Sequence, residues 1–174
     1  MEKDKMFQFL PLSVFALVAF QTSHPSPHRW LFAYALGCLI AVLRTSYTLH
    51  QKKTLNRIAL GSDLYLFVGL TASILQNSFL IQALSSMRES LIFLCILSTG
   101  ITATFVMRNG FSGVDHKSRK QSFLISIVLV AAASTAFFIS YSNRGDRLLG
   151  AVVPLVALAI FYHLIAKFSK TEAV

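Results

Sequence analysis

Apolar residues come in six long blocks along this chain, separated by short polar stretches. A bilayer core about 30 Å thick is crossed by a helix of ~20 mostly apolar residues. The blocks predict helices over about 6–20, 27–49, 62–84, 87–107, 122–141 and 147–168. Almost nothing is left over for a soluble domain. The expected fold is therefore all-α, a polytopic membrane helix bundle of six transmembrane helices forming a single integral-membrane domain over 1–174. The first block follows the charged start MEKDK but is trailed by QTSHPSP, without a small-x-small cleavage site, so it reads as a retained helix rather than a signal peptide. It is short for a full span, so it either thins the bilayer or lies partly in the interface.

The polar stretches carry helix punctuation. Ser26-Pro27 suits the N-cap and first position of the second helix, with Trp30 placed as an interfacial aromatic. Ser86-Met87-Arg88-Glu89 has the form of a capping box opening the fourth helix, and Ser118 to Gln121 is a weaker cap of the same kind. Gly145 permits positive φ, Asp146 caps the sixth helix, and Pro154 is expected to kink it. Ala33, Gly37 and Ala41 form a small-residue stripe at four-residue spacing, which lets a neighbouring helix backbone come close; Ala131 to Ala136 is a second run of small residues.

Composition agrees with this placement. The chain is 55% hydrophobic with a mean hydropathy of +0.62, and 13% of its residues are charged, where a soluble domain has roughly a quarter. The net charge of +9 does not read as a nucleic-acid signal, because the Lys and Arg residues lie in short loops between apolar blocks. If all six helices cross, twelve of the sixteen basic residues fall on the side that holds both termini. Positive charge stays in the cytoplasm, so N-in/C-in is expected, in a bacterial inner membrane, with basic loops against anionic lipid headgroups. The densest of these runs is Arg44 to Asp63. Cys38 and Cys95 lie inside apolar blocks without CxxC spacing and read as buried free thiols.

Few groups are left to carry chemistry. Asp63, at the expected start of the third helix, is the sharpest, since ionisable groups inside a bilayer are costly and mark ion or proton paths. The helix dipole and a nearby Arg57 or Arg44 would equally well explain it as structural. Gln76, Asn77 and His163 could join Asp63 along a polar path, and Gln82, Arg88 and Glu89 could form a periplasmic polar cluster. His163 has no second intramembrane histidine to share a haem, and the prolines at 25 and 27 disfavour a helical metal pair of His24 and His28. No H-E-x-x-H, G-x-S-x-G, P-loop or G-x-G-x-x-G is present. Neither an enzyme nor a cofactor is expected.

Phe9 to Leu17, FLPLSVFAL, resembles the short first helix of the intracellular septation protein A family of bacterial inner-membrane proteins, and Arg88 to Ile92, RESLI, resembles a helix start in related six-span proteins. The resemblance implies an envelope- or septum-associated membrane protein without catalysis. The expected role is a scaffold engaging other membrane proteins or a second copy of itself. The alternative is a small transporter or permease component that uses the polar path.

Overall fold

The structure, a computed structural model, describes residues 7–21, 26–51, 55–107, 109–113 and 119–171, without the side chains of Phe7 and 166–171. Among these residues the regular structure is entirely helical. A 3₁₀ turn, Phe7–Phe9, leads into α1 (Leu10–Ala19). There follow α2 (Pro27–His50), α3 (Arg57–Leu75), α4 (Ser78–Met87), α5 (Ser90–Val106), α6 (Arg119–Ser142) and α7 (Val153–Thr171), the last preceded by a π-helical turn, Leu148–Val152. By length and composition, α2, α3, α6 and Leu148–Ile165 can each cross a membrane, and a fifth span results if the broken pair α4–α5 counts as one. Less than half of each of the four is buried within the protein.

Two expected helices differ from those observed. The block 62–84 is interrupted: Gln76 takes a φ of 47°, and Asn77 Oδ1 accepts the Leu80 N–H at 3.1 Å to cap α4. An asparagine side chain offers the backbone this alternative to continuing the helix. The same block begins earlier than expected, at Arg57, because Asn56 Oδ1 accepts the Ile58 N–H. The capping box at Ser86 does not form either. Ser86 donates to Ala83 O, Arg88 turns to φ 47°, and α5 starts at Ser90. Glu89 instead accepts the Gly145 N–H at 3.1 Å, across a sequence separation of 56 residues. The cap expected at Ser118 and the start of the first helix at Met6 lie outside the described residues.

The chain divides into two compact units, Met1–Leu55 with Ser62–Ser86, and Asn56–Gly61 with Met87–Val174. In the first unit α1 runs antiparallel to α2. Arg29 Nε donates to Val18 O at 3.0 Å and so binds the C-terminal carbonyls of α1. Phe15 stacks on Tyr34 with centroids 4.7 Å apart. Trp30, near the start of α2, packs against Phe15, Phe20 and Tyr34. The part of α3 after Gly61 lies along α2 in the opposite direction, with Leu66 against Gly37 and Gly69 under the Tyr34 ring.

In the second unit α6 buries Ser122, Ser126, Leu129, Ala133, Ala136 and Ser140. Alternating steps of four and three place them on one seam, and their small size lets neighbouring helices approach closely. Gly61, at the start of the second turn of α3, marks another close crossing, since a Cβ there would lie 2.5 Å from Ile96 Cα. The stretch from Arg108 to Gln121, expected as the second basic loop, turns inward near its start. Phe111 is fully buried against Gly100, its N–H donates to Ser126 Oγ at 2.8 Å, and Tyr162 Oη donates to Ser112 O at 2.7 Å.

The turn after α6 follows the expectation: Gly145 has φ 98°, and Asp146 Oδ1 accepts the N–H groups of Leu148 and Leu149. Pro154 has no N–H to offer Gly150 O, its regular helical acceptor four residues back. The π turn sits at that point, and the buried Ser140 hydroxyl donates to Gly150 O. In Ser140→Ala this carbonyl loses its donor, which is expected to lower stability by about 1–3 kcal/mol. Adding Pro154→Ala restores an N–H and is expected to recover part of the loss. Reversible unfolding of the purified chain in mixed micelles checks both; an additive or larger loss in the double variant would overturn this account.

Candidate functional site

Helix α3 begins at Arg57, so Asp63 lies in its second turn rather than at its start, and it is buried at 6% exposure. A carboxylate this far into an apolar helix gains little from the helix terminus, whose field fades within the first turn. Its partner is a side chain. Arg44 Nη2 donates to Asp63 Oδ2, and both side chains are shielded, at 11% and 8% exposure. Arg44 is counted among the loop charges on sequence grounds, yet it lies within α2, six residues before the helix ends. Its Nη1 donates to Gln8 O, in the 3₁₀ turn ahead of α1. One guanidinium therefore joins the start of α1, the end of α2 and the second turn of α3. Arg57, the other partner considered for Asp63, points its guanidinium at Met107 Sδ in the second unit.

A planar guanidinium with five donors suits this junction, because it bonds a carboxylate and a carbonyl at once. Charges in a low-dielectric interior are stable only when paired and hydrogen-bonded, and the pair meets that condition. Cys38, one turn and a half before Arg44 on α2, is also buried here. Chemically the arrangement is a closed polar joint rather than an open proton acceptor.

The remaining candidates do not gather around it. Gln76 and Asn77 are exposed at the far end of α3, about 20 Å from Asp63 at 1.5 Å per residue. They form the helix break. Gln82 is exposed on α4, and His163 is exposed on α7. Arg88 and Glu89 do converge, on the Gly145 turn: Glu89 accepts its N–H, and Arg88 lies against Gly145. This contact holds a turn in place. His28 is exposed and His24 lies outside the described residues. Among the described residues no three His, Cys, Asp or Glu side chains converge as metal ligands.

The stripe of Ala33, Gly37 and Ala41 is buried by the chain's own helices, with Leu66 and Phe15 both against Gly37. It therefore serves packing inside the first unit and is not a free docking face. Sequence reasoning missed three polar contacts: Tyr34 with Tyr65 (3.2 Å between hydroxyls), Ser140 with Gly150 O, and Tyr162 with Ser112 O. Pro154 is the one sequence signal for any of them, since it announces an unpaired carbonyl four residues earlier.

The chain matches no protein-family model, no curated protein and no solved structure.

Two outcomes are expected. Asp63→Asn or Arg44→Gln alone leaves an unpaired buried group and lowers stability by about 3–5 kcal/mol, whereas replacing both by apolar residues, Arg44→Met with Asp63→Leu, costs far less than the two losses together. Chemical unfolding in micelles measures this as a double-mutant cycle, and additive losses would remove the pair from the account. Gly37→Leu overfills the contact with Leu66 and Phe15, where even a Cβ would sit 3.2–3.3 Å from its neighbours. A loss of about 1–3 kcal/mol in the isolated chain is expected; unchanged stability would show that the stripe faces outward.

Proposed function

We propose that the chain is a six-span, non-catalytic protein of the bacterial inner membrane, with both ends cytoplasmic, that acts as a scaffold or partner in envelope or septum assembly. One observation carries the reading. The long helices turn large apolar side chains outward, such as Phe32 (61% exposed), Leu39 (56%) and Leu43 (61%) on α2 and Leu124 (63%) and Phe138 (67%) on α6, while the polar groups between helices bind one another. A surface of this kind suits lipid and other membrane helices.

The orientation draws support from the basic loops and from Arg44. That residue lies near the end of α2 that leads into Lys52 and Lys53, and it binds the start of α1. The beginning of α1 therefore shares a level with the most basic end of α2, consistent with a cytoplasmic N-terminus. Although α1 has only ten residues, about 15 Å of helix, it pairs with α2 from Arg29 to Arg44. The envelope or septum role rests on the resemblance of FLPLSVFAL and RESLI. The transporter alternative has less behind it, because Asp63 is bound by Arg44 and the nearest proposed path residues in sequence, Gln76 and Asn77, lie just beyond the far end of α3.

Labelling of single cysteines in intact cells by a membrane-impermeant maleimide tests the topology. Cysteines at Gln21 and Asn143 are expected to react from outside, and those at Lys3 and Gln51 only after lysis. Labelling of Gln51→Cys from outside would overturn the orientation, and labelling of Lys3→Cys alone would remove the first crossing. Proton-coupled flux in proteoliposomes that disappears in Asp63→Asn would replace the scaffold reading with transport.

A further inference from the structure

The second unit separates its charges. Its described acidic side chains, Glu89 and Asp146, both serve the turn at the C-terminal end of α6. At the other end, 24 residues and about 36 Å away, lies a cleft lined by Thr104, Phe105 and Met107 from the end of α5 and by Arg119, Ser122 and Phe123 from the start of α6. Arg119 is exposed at its rim. Arg57, half-buried in the first turn of α3, ends on Met107 Sδ, at the wall that the end of α5 supplies. A thioether is a weak acceptor for a guanidinium. Among the described residues no carboxylate pairs with Arg57 or Arg119; Asp115 lies outside them. The same cleft carries two outward-facing rings, Phe105 at 70% exposure and Phe123 at 42%, with centroids 6.4 Å apart.

We infer that this cleft binds an anionic phospholipid, with the phosphate between Arg57 and Arg119 and the acyl chains along Phe105 and Phe123. The shape of the surroundings favours a lipid over a free anion. The length of α6 matches a bilayer with part of its headgroup layers, which puts Arg119 at phosphate depth and the two rings on the hydrocarbon side. Two guanidiniums without a carboxylate partner among the described residues supply charge-assisted donors for one phosphodiester. The inference rests on the proposed membrane placement and names one specific lipid contact within it.

Native mass spectrometry and melting temperatures of the full chain in dodecyl maltoside provide the test, with phosphatidylglycerol, phosphatidylcholine of the same acyl chains, and inorganic phosphate as separate additions. Phosphatidylglycerol is expected to bind and to raise the melting temperature. Arg57→Gln with Arg119→Gln should weaken its binding about 30-fold, at the usual contribution of a basic residue near an anionic surface. Arg119→Gln alone changes an exposed side chain that the fold does not need, and should weaken binding about fivefold even if the double variant unfolds. Arg144→Gln with Arg147→Gln removes the same charge at the other end and should leave binding unchanged. Equal binding of the two lipids, equal losses in both double variants, or full stabilisation by inorganic phosphate would each overturn the inference. The cysteine-labelling pattern is read independently, so a failed lipid site and a failed topology are distinguishable.

Discussion

Arg44 is the residue on which the first unit depends. A helix passing through hydrocarbon cannot leave a charge or a backbone group to water, so whatever is polar must be satisfied from within the chain. Asp63 sits in the second turn of an apolar helix, and the Arg44 guanidinium neutralises it while also binding Gln8 O at the start of α1. The register of α1, α2 and α3 follows from that junction. With Asp63 opposite Arg44, Leu66 meets Gly37 and Gly69 meets Tyr34, and the aromatic cluster around Phe15 closes over them. Buried ion pairs add little net stability compared with apolar packing, but they discriminate strongly against any register that separates them.

The second unit meets the same constraint with hydroxyl groups in place of a charge. The seam of α6 carries serines at 122, 126 and 140, and two of them bind backbone outside their own helix: Ser126 takes the Phe111 N–H, and Ser140 supplies a donor to Gly150 O. The first allows a loop to fold its phenylalanine into the bundle. The second accommodates Pro154 within a continuous apolar segment. Both contacts need small residues on the seam, because a larger side chain would hold the partner backbone too far away for a hydrogen bond.

These arrangements give structural roles to residues that also invite a functional reading. A buried carboxylate in an apolar helix ordinarily invites a transport reading, and here it is held by the residue that also ties down α1. Residues that looked like a path, Gln76 and Asn77, end one helix and begin another. What stays unspent is the outward apolar surface and the basic end of the second unit, on which the proposed contacts with lipid and neighbouring membrane proteins rest.

The pattern of apolar blocks was enough to establish an all-helical protein with several helices able to cross a membrane, because length and hydropathy are properties of each segment alone. Local punctuation was legible where it involved neighbours in sequence, as with Ser26 before Pro27 or Asp146 after Gly145. It was misread at Ser86 to Glu89, where the glutamate bonds a turn 56 residues away, and at Gln76-Asn77, where side-chain capping outcompeted the apolar run on either side. Asp63 was recognisable from sequence as the group needing an explanation, and Arg44 was one of two partners in reach. Choosing between them required the packing of α2 against α3, as did learning that Ala33, Gly37 and Ala41 are covered from within. Hydropathy says that a face must be buried, and only the tertiary structure decides against what.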